Sequence, residues 1–304
     1  MTFAVTENES TMSQAKMNGN KRTILRGESM DYCVGTCKVC DLFPSKCVGD
    51  VGIEFNKIHN IDCVEGMKHI FDNSIDLTIT SPPYDNMRKY NGYEWDFEAT
   101  ARELYRVTKQ GGVVVWVVGD ATIKGSETGT SFKQALYFKD LGFKLYDTMI
   151  YQKQNYVPLT HRRYEQEFEY IFVLSKGIPK TFNPIMIPCK YAGTETWGSA
   201  SFHKTNDSGL VSVGKKKIND MKQHGNIFCY LTNKSKETKG HPAPFPEKLA
   251  EDMIISWSNE GDIVLDCFMG SGTTAKMAKL NNRNYIGFEI SKEYCDIAEQ
   301  RILQ

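Results

Sequence analysis

The sequence predicts an α/β fold organised around a doubly wound, mostly parallel sheet, and three patterns support it. Residues 113–118 form a continuous apolar run, which is typical of a central strand covered on both faces. Residues 56–81 read as strand, helix and strand, and residues 262–288 repeat that order. Such units imply parallel pairing with right-handed crossovers. We therefore expect one large domain, or one domain with insertions.

The other elements follow from the same periodicity. Helical spacing predicts helices over residues 64–71, 97–107, 131–140, 247–257, 273–280 and 291–303. Residues 145–151 and 168–174 are predicted strands joined by a loop, which favours antiparallel pairing. Periodicity fades from residue 175 to about 240. That stretch is therefore predicted to be an insertion built for contact.

Composition places the chain among ordinary globular proteins. It has 304 residues, 40% hydrophobic and 24% charged, and no apolar run of membrane-spanning length. The N-terminus lacks a basic-then-apolar secretory pattern, so we expect a cytoplasmic protein. Net charge is zero, which argues against a simple polyanion binder. Residues 151–246, however, carry 14 Lys and Arg against 7 Asp and Glu, as a local nucleic-acid surface requires.

The first 55 residues form a polar tail, residues 1–30, and a Cys-rich segment, residues 31–55. The spacing of Cys33, Cys37 and Cys40 matches an iron–sulfur motif, but the pattern downstream is not that of a barrel. Together with Cys47 they could close a four-thiolate zinc site, although the spacing is irregular. Free reduced thiols are the favoured interpretation, and no metal is assigned.

Residues 80–84, Thr-Ser-Pro-Pro-Tyr, follow the strand predicted over residues 75–79. Two prolines end the strand and fix a rigid corner at its carboxyl end, where open α/β sheets bind ligands. The corner holds the Ser81 hydroxyl, the Pro82 carbonyl and the Tyr84 ring close together. An ordinary Pro-Pro turn with a packed tyrosine is the alternative.

A second turn follows the strand predicted over residues 262–266. Gly270 and Gly272 allow the backbone to approach a ligand closely. Glu289 comes at the tip of the next strand, where a carboxylate can accept hydrogen bonds from both ribose hydroxyls. The run Gly-Ser-Gly-Thr-Thr-Ala also fits the dinucleotide fingerprint of an oxidoreductase. That alternative needs further strands, and one helix is all that the residues after Glu289 can supply.

Together the two turns resemble those of the S-adenosylmethionine-dependent amino-methyltransferases of DNA. The order, with the Pro-Pro motif before the glycine motif, is similar to that of their permuted β group. The resemblance covers residues 56–304 and implies a seven-stranded, Rossmann-like methyltransferase sheet. It divides the chain into a catalytic half, an inserted target-recognition region and an S-adenosylmethionine-binding half, over residues 56–176, 177–240 and 241–304.

The resemblance also implies roles for individual residues. The catalytic residues would be Ser81, Pro82, Pro83 and Tyr84. The cofactor would contact Asp62, Cys63, His241, Pro242, Asp266, Phe268, Gly270, Ser271, Gly272, Thr273, Thr274 and Glu289. Contacts to double-stranded DNA would come from Arg88, Tyr90, Arg162, Arg163, Lys215, Lys216 and Lys217, and the target base would be flipped out of the duplex.

The choice of base rests on two positions. Members of the family with serine before Pro-Pro are mostly cytosine-N4 enzymes, whereas adenine enzymes usually have Asp or Asn there. Phe245 also stands where the adenine type has lysine. We therefore expect a DNA (cytosine-N4)-methyltransferase, with adenine N6 methylation as the runner-up and a catalytically silent DNA-binding relative as a further alternative. A homodimer and a separate restriction endonuclease are candidate partners.

Overall fold

The computed structural model describes residues 25–27, 30–32, 52–83, 95–155, 162–195, 200–203, 210–213, 217–231 and 246–303. Several residues singled out above lie outside these ranges: Cys33, Cys37, Cys40, Cys47, Tyr84, Arg88, Tyr90, Lys215, Lys216, His241, Pro242 and Phe245. Across the described ranges, no helix is both long and apolar enough to cross a membrane.

A central sheet of eight strands organises the fold. Their bounds in chain order are β1 Lys57–His59, β2 Ile75–Thr80, β3 Thr108–Val118, β4 Lys144–Lys153, β5 Phe168–Ser175, β6 Ile227–Tyr230, β7 Ile263–Asp266 and β8 Asn284–Phe288. Across the sheet the order is β6-β4-β5-β3-β2-β7-β8-β1. All neighbours are parallel except β5, which is antiparallel to both β4 and β3. The mostly parallel sheet and the antiparallel pair are both confirmed.

Within the described residues six helices cover the sheet, and their bounds are α1 Cys63–Met67, α2 Phe97–Val107, α3 Thr130–Asp140, α4 Glu247–Trp257, α5 Thr273–Leu280 and α6 Lys292–Ile302. Apolar residues of α4, α5 and α6 share one core with the sheet. Apolar residues of α1, α2 and α3 form a second core on the other face. Because β3 lies between the two cores, no residue from 113 to 118 is more than 1% exposed.

The sheet differs from the expectation in two details. It has one strand more than seven, because β6 pairs in parallel with β4, Phe228 opposite Tyr151. This strand lies within the region 177–240. In addition, β1 and β2 are not neighbours, since β7 and β8 lie between them. The parallel direction predicted for the first unit is thus correct, but its two strands pair with other partners.

In the part of the chain that the structure describes, four antiparallel strand pairs lie outside the sheet. They join Leu25–Gly27 to Met30–Tyr32, Thr122–Ile123 to Ser126–Glu127, Met186–Pro188 to Met221–Gln223, and Ala200–His203 to Leu210–Val213. The last two pairs lie in the predicted target-recognition region.

Candidate active site and cofactor site

The two predicted turns meet at the carboxyl ends of neighbouring strands. β2 and β7 pair in parallel, with Thr78 opposite Leu265. At their ends, Thr80 Oγ1 donates a hydrogen bond to Asp266 Oδ1 at 2.7 Å. The Ser81-Pro82 corner follows Thr80 directly, with Ser81 half-buried and Pro82 buried. The structure therefore brings the Pro-Pro corner and the start of the glycine turn together, although 186 residues separate Thr80 from Asp266.

Asp266 is buried and holds the glycine turn by two further bonds. Its Oδ2 accepts from Thr274 Oγ1 at 2.7 Å, and its Oδ1 accepts from the Phe268 amide at 3.0 Å. Burial raises the pKa of Asp266, although the three donors act in the opposite direction. The carboxylate thus joins β2, the turn and α5 at one point.

The turn itself depends on glycine. Gly270 and Gly272 have φ values of 52° and 80° in the left-handed region, which other residues rarely adopt. A Cβ on Gly272 would also lie 2.7 Å from Ala298 Cβ, closer than packed carbons approach. Gly272 precedes the first residue of α5, so the positive end of the helix dipole faces the turn.

Glu289 follows β8 and closes the other side of the turn. Its Oε2 accepts from the Gly270 amide and its Oε1 from the Ser291 amide, both at 2.8 Å. Burial raises the pKa of this carboxyl group, while the two amides partly offset the shift. Each carboxylate oxygen has a second lone pair. A fixed carboxylate of this kind can accept hydrogen bonds from a ribose diol, and that role of Glu289 stays a prediction.

Asp62 and Cys63 follow β1, whose end is tied to the segment after β8. The amide of Glu289 donates to the His59 carbonyl at 3.1 Å, which ties the segment after β8 to the end of β1. Asp62 Oδ1 caps α1, accepting from the amides of Val64 and Glu65 at 2.9 and 3.1 Å. Burial raises the pKa of the Cys63 thiol to about 12. The Cys63 thiol is therefore neutral and packs within the core, with its Sγ 3.7 Å from Thr100 Oγ1.

An aromatic contact that the sequence did not indicate flanks the turn. The rings of Phe268 and Trp95 meet edge to face with centroids 5.1 Å apart, and Trp95 also lies 6.2 Å from Trp116. Trp95 comes directly before α2, outside any motif, so no local pattern marks it.

The described DNA-binding candidates lie on exposed surface. Arg162, Arg163 and Lys217 are all exposed. Arg163 donates to the Gly125 carbonyl and lies 4.0 Å from Glu127, so the small hairpin after β3 holds it. The backbone of Lys217 forms an isolated antiparallel β-bridge with that of Glu195. Within the described part of the chain, no group of His, Cys, Asp and Glu residues could hold a metal ion.

Comparison with known proteins assigns this arrangement to a family. The family model for DNA methylases of the N6/N4 type matches residues 75–300. The chain belongs to this DNA methylase family. The orphan methyltransferase M.BamHII of Bacillus amyloliquefaciens is 57% identical over 246 residues, covering 77% of this chain and 91% of the relative. The type II methyltransferase M.BglII of Bacillus subtilis is 30% identical over 261 residues, covering 81% of this chain and 68% of the relative.

Solved structures agree with the fold. The PvuII DNA methyltransferase (cytosine-N4-specific) superposes with a TM-score of 0.60 at 22% identity, covering 81% of this chain and 86% of the other. The M1.HpyAVI complex with S-adenosylmethionine superposes with a TM-score of 0.53 at 25% identity, covering 81% of this chain and 98% of the other. The chain is therefore an S-adenosylmethionine-dependent DNA amino-methyltransferase, and the dinucleotide oxidoreductase is excluded.

Proposed function

We propose that this DNA methylase transfers the methyl group to N4 of cytosine in a base flipped out of the duplex. The observation that carries the choice of base is Ser81, which stands before Pro-Pro where adenine enzymes of the family usually have Asp or Asn. At 22% identity, the similarity to the PvuII enzyme supports the fold, so the choice of base rests on Ser81 and on Phe245.

The chemistry explains why acceptors are needed at the corner. The lone pair of an exocyclic amino group is delocalised into the ring and is a poor nucleophile. The Ser81 hydroxyl and the Pro82 carbonyl can accept its two hydrogens, which turns the nitrogen toward sp³ geometry and aims its lone pair. Bound S-adenosylmethionine supplies the activated methyl group. The chain contributes positioning and electrostatic stabilisation, with no covalent enzyme intermediate.

The connection between the two turns supports this mechanism. Thr80 is both the last residue of β2 and a donor to Asp266, so the bond at 2.7 Å fixes the corner relative to the glycine turn. Glu289 and Asp62 would hold the ribose and the adenine of the cofactor. Tyr84 would stack on the flipped base.

The modified nucleoside decides the proposal. Purified enzyme, radiolabelled S-adenosylmethionine and DNA are incubated, the DNA is digested, and nucleosides are separated against authentic standards before mass spectrometry. Chromatography is essential because N4-methylcytosine and C5-methylcytosine have the same mass. We expect N4-methyldeoxycytidine. N6-methyldeoxyadenosine would overturn the choice of base, and DNA without label would overturn the enzymatic assignment.

Replacing Ser81 tests the acceptor role. Ser81→Ala should lower kcat by about 10²-fold, the usual contribution of one positioned catalytic group, and leave the Kd for S-adenosylmethionine unchanged. Ser126→Ala, an exposed serine in the hairpin after β3, is the matched control and should keep the wild-type rate. Because a serine does not ionise near neutral pH, we expect no rate titration from residue 81. A Ser81→Ala enzyme with full activity would contradict the mechanism.

Recognition of the DNA sequence is proposed to lie in residues 177–240, with Arg162, Arg163 and the lysines 215–217 on phosphates or bases. A homodimer and an accompanying restriction endonuclease are further proposals. Sedimentation velocity at several concentrations tests the dimer, and a monomer throughout would refute it.

A further inference from the structure

Arg301, near the end of α6, is buried against the glycine turn. Only 3% of the residue is exposed. Its Nη1 donates to the Ser271 carbonyl at 2.6 Å, to Ser271 Oγ at 3.0 Å and to Thr273 Oγ1 at 3.1 Å. One guanidinium nitrogen thus contacts the residues on both sides of Gly272. None of the sequence motifs includes this arginine.

The other end of the guanidinium is neutralised by Glu247. Arg301 Nη2 donates to Glu247 Oε1 at 2.7 Å, and Lys276 Nζ donates to the same oxygen at 3.0 Å. Burial alone would raise the pKa of Glu247, but its bonds and charges with Lys276 and Arg301 lower it below the usual value. A buried arginine needs such a partner, because an unpaired charge in the interior is costly. Glu247 also begins α4, five residues after Pro242.

Two opposite contacts therefore hold the turn. Glu289 binds the Gly270 amide on one side, while Arg301 binds the carbonyl and hydroxyl of Ser271 on the other. α6 also packs so closely that Gly272 has no room for a side chain next to Ala298. The left-handed conformation of Gly272 is thus held between two fixed neighbours.

We infer that Arg301 is a positioning residue for S-adenosylmethionine binding. It acts through Ser271 and Thr273, whose backbone forms the cofactor turn, and through Glu247 it joins this turn to the start of α4. The planar fork of an arginine can satisfy several acceptors at fixed angles, whereas a lysine provides one mobile ammonium. The inference rests on the cofactor site and is independent of which base is methylated.

The test compares two arginines with similar bonds in different places. Arg283 also donates to the hydroxyl and carbonyl of one serine, Ser258, at 3.0 and 2.7 Å. It lies just before β8, however, at the amino ends of the strands and away from the glycine turn. Isothermal titration with S-adenosylmethionine is carried out on Arg301→Met, Arg301→Lys and Arg283→Met. We expect Arg301→Met to raise the Kd on the order of tenfold, the effect of losing a charged hydrogen bond. The Kd of Arg301→Lys should lie between those of Arg301→Met and the wild type.

Arg283→Met should lower the melting temperature as Arg301→Met does while keeping the wild-type Kd. A wild-type Kd in Arg301→Met, or an equal loss of affinity in Arg283→Met, would overturn the inference. If Arg301→Met does not fold, Arg301→Lys carries the test by steady-state kinetics. Its KM for S-adenosylmethionine should rise while its KM for DNA stays constant, and an equal rise in both would overturn the positioning role. Wild-type protein that fails to bind S-adenosylmethionine would instead refute the cofactor site itself.

Discussion

At the scale of single residues, Asp266 and its donors illustrate how a buried carboxylate can hold a site together. Thr80 donates to it, whereas Thr78, two residues earlier on β2, is fully buried with its hydroxyl unpaired. Removing a buried bonded hydroxyl leaves its partner short of a donor, but removing an unpaired one leaves nothing unsatisfied.

The two threonines therefore provide a matched pair of valine substitutions. We predict that Thr80→Val lowers the free energy of unfolding by about 1–2 kcal/mol, since Asp266 loses one of its donors. Thr78→Val should be neutral or stabilising. Urea unfolding of both variants measures the difference, and equal destabilisation would contradict the role given to the Thr80–Asp266 bond.

If Glu289 holds the cofactor ribose as proposed, cofactor binding should depend on pH. Burial raises its pKa, so the carboxylate gains a proton at a pH closer to neutral than an ordinary glutamate does. Protonation removes an acceptor for the ribose hydroxyls. We predict that the Kd for S-adenosylmethionine is constant at high pH and rises as the pH falls through this raised pKa.

Two variants isolate that titration. In Glu289→Gln the amide group must face the Gly270 or Ser291 amide, donor against donor, so affinity should fall on the order of tenfold and the pH dependence should disappear. Glu293→Gln, at an exposed site in the first turn of α6, should keep the wild-type profile. A pH profile that survives in Glu289→Gln would assign the titration to another group.

The residues of the site differ in how visible they are in the sequence. Asp266 ends one predicted strand and Glu289 directly follows another, so their place at the carboxyl ends of the strands could be expected. Trp95 and Arg301 could not, because each belongs to no local pattern and meets the site only through packing between distant elements.

At the scale of elements, the glycine turn before α5 can be tested by comparing two left-handed glycines. Gly272 and Gly261 have φ values of 80° and 84°, but a Cβ on Gly261 would meet nothing within 4 Å. We predict that Gly261→Ala lowers the free energy of unfolding by about 1–2 kcal/mol, the penalty of the left-handed backbone alone. Gly272→Ala should lower the free energy of unfolding by more and abolish S-adenosylmethionine binding, because the new methyl group collides with Ala298. Thermal unfolding and titration measure both, and equal costs would show that α6 can move away.

Helices with clear apolar periodicity were predictable, whether or not a side chain caps them. The bounds predicted for α2, α4 and α5 are confirmed to the residue. The predicted helix over residues 64–71 is wrong at its carboxyl end, because His69 and Ile70 bond back three residues and the chain turns there. Strand β6 was missed because it is short and because it pairs with β4, which is far away in the sequence.

At the scale of the whole molecule, the order of the sheet explains how distant motifs form one site. The strands β2 and β7 are neighbours in space and distant in sequence, and each ends in one of the two turns. Because β2 and β7 run parallel, both turns lie at the carboxyl ends of the strands, whereas antiparallel neighbours would put the two turns at opposite ends. The amino ends of the strands then provide a reference surface that should not take part in binding.

If DNA binds only at the carboxyl ends of the strands, the salt dependence of DNA binding should come from lysines proposed to lie on the DNA, although the net charge of the chain is zero. Replacing Lys215, Lys216 and Lys217 with alanine should reduce the salt slope of DNA binding by up to about 3, since each phosphate contact contributes about 0.9. The control replaces three exposed lysines near the amino ends of the sheet strands with alanine: Lys57, Lys139 and Lys144. Both triple variants change the net charge equally, so a difference in slope reports location alone. Fluorescence anisotropy from low to moderate salt measures it. If the two variants shift the slope equally, long-range charge explains the binding, and residues 215–217 do not contact phosphates.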